Sequence, residues 1–146
     1  RLKWPSKYSD LIFMFQKEVG ERIIGKFNTS KYGRLSILTN FKLRIVNKFH
    51  VSPKCFMPTP KVVSTVIHFK PNKKETFNIK KIENLEKVTR ILFSNKRKMI
   101  NKNFKKLFGK KISLIKNIDI DLNKRPEEIN VETYCKIAIE YEKLFS

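Results

Sequence analysis

Near Pro71 the hydrophobic period of this 146-residue chain changes, and that change limits it to an α/β piece followed by a helical one. Before Pro71, apolar residues come in continuous runs or in alternation, the patterns of strands buried on both faces or on one. Leu11-Ile12-Phe13-Met14-Phe15 is a continuous run of strand length, which predicts a strand buried on both faces. Phe41, Leu43 and Ile45 alternate with Lys42 and Arg44, and Val62 to Phe69 alternates again. No helix separates these two strands, so they are expected to be antiparallel neighbours. Between the first strand and the second, Val19, Ile23, Ile24 and Phe27 share a helical face that ends near Gly25. A further helix over Tyr32 to Thr39 turns Leu35 and Leu38 inward.

Beyond Pro71 a polar, lysine-rich stretch to Glu75 reads as a linker, and the period becomes helical throughout. Ile82, Leu85, Val88 and Leu92 line one helix; Ile100, Phe104, Leu107 and Phe108 line a second, closed by Gly109. A short turn over Ile112 to Ile118 follows. The last helix starts after Asn130 as N-cap, with Tyr134, Ile137, Ala138, Tyr141 and Leu144 on one side. The expected division is residues 1–70, a linker over 71–80, and a small all-α domain over 81–146. A strand buried on both faces needs more neighbours than two, so residues 1–70 are expected to be the C-terminal end of a larger sheet. The absence of Met before Arg1 is expected to reflect a missing upstream segment.

Charge narrows the partner. Lys and Arg number 33 against 13 Asp and Glu, a formal +20, and no carboxylate occurs from Arg22 to Lys74 or from Lys87 to Ile118. Codon bias toward lysine accounts for part of this excess, but not for the clustering of acids in the last quarter. An uncompensated positive field implies a polyanion, with nucleic acid favoured over an anionic membrane. Cys55 and Cys135 are far apart and fit a reducing, cytoplasmic compartment better than a disulfide framework. With His50 and His68 they show no zinc-ligand spacing, so no metal is expected. Leu11 to Phe15 is far too short to span a bilayer.

Two segments carry the candidate chemistry. In Phe56-Met57-Pro58-Thr59-Pro60-Lys61-Val62-Val63-Ser64, two alternate prolines stiffen the backbone ahead of a strand. An exposed Phe on such a rigid perch loses little entropy when a base stacks on it; the competing reading is a Phe packed into the core. The second segment, Lys96 to Lys111, holds Lys96, Arg97, Lys98, Lys102, Lys105, Lys106, Lys110 and Lys111 and no acid. At helical spacing Lys98, Lys102 and Lys105 fall on one face, opposite Ile100, Phe104 and Leu107. This basic ridge is read as an RNA-phosphate surface, with a simply solvated face as the alternative. Arg22 and Arg34 are lesser candidates, and Glu18 and Glu21 read as ion-pair partners of a helix face rather than an acid/base pair.

The proline segment resembles a motif of the ribosomal RNA adenine dimethyltransferases, and four further signatures follow in that family's order. They are Phe15-Gln16-Lys17-Glu18-Val19 with Glu21-Arg22-Ile23, then Lys31-Tyr32-Gly33-Arg34-Leu35-Ser36. Phe93-Ser94-Asn95-Lys96-Arg97-Lys98-Met99-Ile100 and Arg125-Pro126-Glu127-Glu128-Ile129 with Tyr134 complete the set. Together they look like the C-terminal portion of the small-subunit (KsgA) type. The macrolide-resistance methyltransferases of large-subunit RNA share the proline motif but lack Gln-Lys-Glu-Val and Tyr-Gly-Arg-Leu-Ser. The mitochondrial transcription-factor branch is a more distant relative.

The resemblance implies the last strands of a Rossmann-like methyltransferase sheet followed by a helical domain. It implies dimethylation of two adjacent adenosines of small-subunit ribosomal RNA from S-adenosylmethionine, in ribosome biogenesis, with the 30S particle as partner. It assigns Phe56 to stacking on the flipped adenine, with Pro58 and Pro60 shaping the loop. In that family a Gly-rich loop and an acidic residue hold the donor, and an Asn-x-Pro-aromatic tetrapeptide grips the amine. Gly20, Gly25, Gly33 and Gly109 cannot form a G-x-G-x-x-G loop, and no such tetrapeptide occurs. No catalytic or cofactor-binding residue is therefore expected in these 146 residues, which alone should be inactive. The alternative is a non-catalytic ribosomal RNA-binding or ribosome-assembly module. A helix-turn-helix DNA binder over residues 82–108 would leave Phe56-x-Pro-x-Pro unexplained.

Overall fold

The computed structural model describes residues 7–72, 77–115 and 118–145. Its first part runs β1 (Leu11–Gln16), α1 (Lys17–Ile23), α2 (Arg34–Lys42), β2 (Leu43–Val51) and β3 (Ser64–Pro71). Its second part is α3 (Ile82–Leu92), α4 (Asn101–Phe108) and α5 (Val131–Phe145), joined by short 3-10 turns. This is the expected α/β piece followed by helices. The sheet order is β1-β3-β2 with both pairs antiparallel, as expected for β2 and β3. The two outer strands consequently run parallel to each other.

Register decides which side chains meet. Leu11 lies opposite Phe69, Phe13 opposite Ile67 and Phe15 opposite Thr65, so odd-numbered β1 residues share a face with buried Ile67 and Phe69. Helix α1 covers that face through Ile23. A Cβ added at Gly20 would sit 2.9 Å from the Thr65 Cβ, so the glycine lets the helix backbone settle directly on the strand. The opposite face is open: Ile12, Met14 and Phe49 are exposed.

β1 is therefore not buried on both faces. Ile12 is 67% exposed, Met14 55% and Phe13 48%. Its residues lie at the sheet edge with β3 as partner, and among the described residues no layer covers the second face. Other boundaries shift too. α1 stops at Ile23, leaving Phe27 exposed. α2 begins at Arg34 and absorbs Phe41 and Lys42, and it buries Ser36 and Ile37 while Leu35 points outward. β2 continues through His50, which reaches the Thr65 hydroxyl at 2.9 Å across the ladder.

The helices enclose the main core, built from Leu85, Val88, Leu92, Ile100, Phe104, Phe108, Tyr134 and Ile137. The Asn130 side chain accepts from the Thr133 N–H at 2.8 Å, the expected N-cap. Gly109, at φ +55, closes α4 as its glycine predicts. The carboxylate of Glu142 accepts from the N–H groups of Lys80 and Lys81 at 3.0 and 2.9 Å and from the Asn84 amide at 2.8 Å, capping α3 from another helix. Tyr32 and Ile37, from the first part, are buried in this same core. Phe93 links the two parts, stacking on Tyr134 at 5.6 Å and meeting Tyr32 edge-on at 6.4 Å. Within the expected 71–80 linker, Pro71 closes β3 and Ile79 is buried among the helices, while 73–76 fall outside the described residues.

Candidate nucleic-acid interface

The proline loop is held at both ends. β2 delivers the chain to Ser52, whose hydroxyl accepts from the Lys54 N–H at 3.3 Å and starts a 3-10 turn over Pro53–Cys55. The Phe56 N–H closes that turn on the Pro53 carbonyl at 3.2 Å, and Thr59 donates back to the Phe56 carbonyl at 3.4 Å. The Met57–Pro58 peptide is cis. Phe56 is half-buried but belongs to neither apolar cluster, and Met57 beside it is 99% exposed. At the far end, the Lys17 N–H donates to the Val63 carbonyl at 2.9 Å, tying the loop exit to the start of α1. Gln16, Lys17, Glu18, Glu21, Val62 and Val63 line a cleft there. Glu18 and Glu21 are engaged as ion-pair partners, of Arg22 at 2.5 Å and Lys31 at 2.8 Å.

The Lys31–Ser36 signature builds the corner between the two parts. Tyr32 enters the helical core, the Gly33 N–H donates to Ser36 Oγ at 3.2 Å, and that buried hydroxyl donates to the Arg22 carbonyl at 2.6 Å. A Cβ at Gly25 would fall 2.4 Å from the Lys31 carbonyl oxygen, so only glycine fits beneath the corner. Arg34 is presented to solvent at the first position of α2. Lys96 reaches into the corner from the other side. Its ammonium donates to the carbonyls of Ser30 at 2.5 Å and Tyr32 at 3.1 Å, and lies 3.6 Å from a Glu127 oxygen.

The basic segment is less regular than its spacing suggests. Residues 96–100 form a turn, so Lys98 stands off the helix rather than in line with Lys102 and Lys105. Lys102, Lys105 and Lys106 are exposed on α4, opposite buried Phe104, Leu107 and Phe108. Arg97, Lys98 and Lys102 meet in one groove instead, joined by Arg125. The sequence marks Arg125 as part of a family signature but not as a neighbour of these cations; what brings it there is a backbone bond, Ile100 N–H to the Lys124 carbonyl at 2.9 Å. Among the described residues, no ion pair involves Arg34, Arg97, Lys98, Lys102, Lys105, Lys106 or Arg125. The predicted sites are thus three: Phe56, Pro58 and Pro60 in one loop, Arg34 with Lys96 at the corner, and the remaining cations around α4.

Among the described residues, the four glycines serve close packing and helix ends. Gly20 and Gly25 are taken up by close packing on Thr65 and Lys31, Gly109 closes a helix, and Gly33 precedes one. Among the described residues no group of three or more His, Cys, Asp or Glu is placed to hold a metal, and no helix is long and apolar enough to cross a membrane.

Residues 3–143 match the family model for ribosomal RNA adenine dimethylase. The chain belongs to the ribosomal RNA adenine dimethylase family. It is 44% identical to the ribosomal RNA small subunit methyltransferase A of Pelagibacter ubique, over 94% of this chain and 52% of that protein. It is 41% identical to the protein of the same name from Rhizobium etli, over 92% of this chain and 48% of that protein. This dimethylase-family chain therefore spans about half the length of the curated relatives it matches. Its fold is similar to a dimethyladenosine transferase from Plasmodium falciparum, with a TM-score of 0.74 at 21% identity over 97% of this chain and 59% of that one. The 23S rRNA methyltransferase ErmE is similar at a TM-score of 0.55 and 17% identity, over 99% of this chain and 58% of that one.

Proposed function

We propose that this chain is the part of a small-subunit ribosomal RNA adenine dimethyltransferase that supplies one wall of the target-base pocket and a grip on the RNA. The whole enzyme would transfer methyl groups from S-adenosylmethionine to the exocyclic nitrogens of two adjacent adenosines, working on the 30S particle in the cytoplasm. The glycines here serve packing and helix ends, so the donor would be held by residues outside this sequence, and these residues alone would not methylate. The observation that carries the reading is the proline loop. Phe56 stands on a hydrogen-bonded turn tied to α1, outside both apolar clusters, where a flat ring can receive a base. Pro58 and Pro60 shape the path that holds it there.

Charge supports the second half of the reading. Lys102 lies in the first turn of α4 and Arg34 in the first turn of α2, where the helix macrodipole disfavours cations. Neither turn contains an acid, and an RNA phosphate would remove both penalties. Arg97 and Lys98 line the same groove as Lys102, and Lys105 and Lys106 are exposed farther along α4.

The test is methylation of small-subunit RNA by the whole protein carrying Phe56→Ala or Phe56→Leu. Loss of a stacking contact of about 1–3 kcal/mol lowers kcat/KM about 5- to 150-fold. Leucine keeps most of the apolar bulk, so both variants should lose activity while the leucine form keeps its melting temperature. Normal turnover combined with a large loss of stability would show instead that Phe56 is a packing residue.

A further inference from the structure

We infer that Met57 is a wedge, a side chain that enters the RNA stack beside the target base and fills the space left when that base turns onto Phe56. This rests on the target-base reading of the proline loop given above, and it adds a residue and a task that reading did not contain. Met57 is 99% exposed, whereas Ile12, the next most exposed large apolar residue among those described, is 67% exposed. It belongs to neither apolar cluster. Single exposed apolar residues are ordinary on a protein surface; what sets this one apart is the loop that carries it.

The backbone on either side of Met57 is held. The Phe56 N–H donates to the Pro53 carbonyl at 3.2 Å, and the Thr59 hydroxyl donates to the Phe56 carbonyl at 3.4 Å. Pro58 follows directly, which keeps Met57 out of the helical region and fixes the next φ. Phe56 is itself extended, at φ −122 and ψ 150, and consecutive side chains of an extended chain project to opposite sides. Phe56 accordingly lies half-buried against the protein while Met57 stands out into solvent. With a base on Phe56, the strand it came from lies outward, on the side to which Met57 projects.

The chemistry of the tip fits that gap. Opening a base stack exposes flat apolar faces, and proteins that unstack bases insert Phe, Leu, Ile, Met or Pro between them. Methionine is unbranched and its thioether is polarizable, so it adapts to an irregular apolar slot. Lys54 and Lys61 stand exposed before and after it, with no ion pair among the described residues, and no Asp or Glu occurs from Arg22 to Lys74. An apolar tip between two such cations matches a nucleic-acid strand, with bases at the centre and phosphates on either side.

The experiment follows methylation of one target adenosine by the whole protein in two small-subunit RNA fragments, one natural and one with abasic nucleotides on both sides of that adenosine. Met57→Ala should lower kcat/KM about 5- to 30-fold on the natural fragment, a part of the cost of unstacking one base step. It should match the wild type on the abasic fragment, where no stack has to be opened, and its melting temperature should not move. Met57→Leu should recover most of what alanine loses. Phe56→Ala should remain impaired on both fragments, because the flipped base still needs its platform. Wild-type activity of Met57→Ala on the natural fragment, with Phe56→Ala impaired, overturns the wedge and leaves the target-base reading standing. An equal deficit of Met57→Ala on both fragments overturns it as well, showing a general contact. So does a large fall in the melting temperature of Met57→Ala, which would make the side chain a packing residue against the rest of the enzyme. Full activity of Phe56→Ala overturns the underlying reading.

Discussion

Lys96→Met separates a structural lysine from an RNA-contacting one. In the native chain its ammonium makes two charge-assisted hydrogen bonds, at 2.5 Å to the Ser30 carbonyl and 3.1 Å to the Tyr32 carbonyl. Such bonds contribute about 1.5–3 kcal/mol each when buried. This side chain is 38% exposed, so the lower half of that range applies, and the Ser30 carbonyl, on an exposed residue, would find water. The Glu127 contact at 3.6 Å is a partly exposed pair worth about 0–1 kcal/mol. Methionine carries a rotamer cost in the same range as lysine, so that term nearly cancels. The balance is a loss of about 1.5–3 kcal/mol, dominated by the Tyr32 carbonyl. For a chain of this size each kcal/mol lowers Tm by about 2–4 °C, so a drop of about 3–12 °C is expected by differential scanning calorimetry. Hydrogen exchange should quicken at Asn28, whose N–H donates to the Glu127 carbonyl at 3.1 Å. An unchanged Tm and unchanged exchange, with weaker RNA binding and a lower salt slope, would refute the latch and return Lys96 to the RNA surface.

Two further outcomes follow from buried and capping groups. Burial works to raise the Glu142 carboxyl, but the hydrogen bonds from the Lys80 N–H, the Asn84 amide and the Lys81 N–H outweigh it and hold the group below the usual carboxylate range. Its contribution is therefore fully present above the ordinary glutamate pKa and is lost as pH falls through the lowered folded value. Glu142→Gln should cost about 1–2 kcal/mol at neutral pH and narrow its deficit in acid; a deficit that grows on acidification would contradict the sign. Burial first, then the Glu132 charge, pushes the Cys135 thiol up to about 12, while Cys55 is exposed. A thiol-alkylating reagent at neutral pH should modify Cys55 and reach Cys135 only on unfolding, which peptide mass mapping would read directly.

What the sequence made legible was what local periodicity encodes. The α3 and α5 stripes, the Asn130 cap and the Gly109 stop all depend on neighbours within a turn or two, and all are present. The misreadings arose where distant chain decides. Leu11 to Phe15 reads as a two-sided strand because apolarity records the environment a segment suits, whereas its neighbours here cover only part of it. Lys98, Lys102 and Lys105 fit a helical face on spacing, but the Phe93–Asn95 turn and the irregular 96–100 stretch break the phase before α4 begins. Ser36 gives no sign in sequence that its hydroxyl spans Gly33 and Arg22. The groove around Arg125 depends on one backbone hydrogen bond between remote segments, which no residue pattern announces. The proline loop was visible as a rigid perch, yet the burial of Phe56 outside either core needed coordinates.

The burial of Tyr32 and Ile37 among the helices has a further consequence. The corner that supports α1 and the core that supports the basic groove are one packed interior, with Phe93 wedged between Tyr32 and Tyr134. Tertiary packing of this kind does not bend continuously, so the separation between the proline loop and the groove is set by the chain like the gap of a caliper. For the proposed substrate, selection then becomes a matter of length. An RNA whose gripped phosphates and target base lie at the matching interval engages both points at once, and any other must distort itself or forgo one of them.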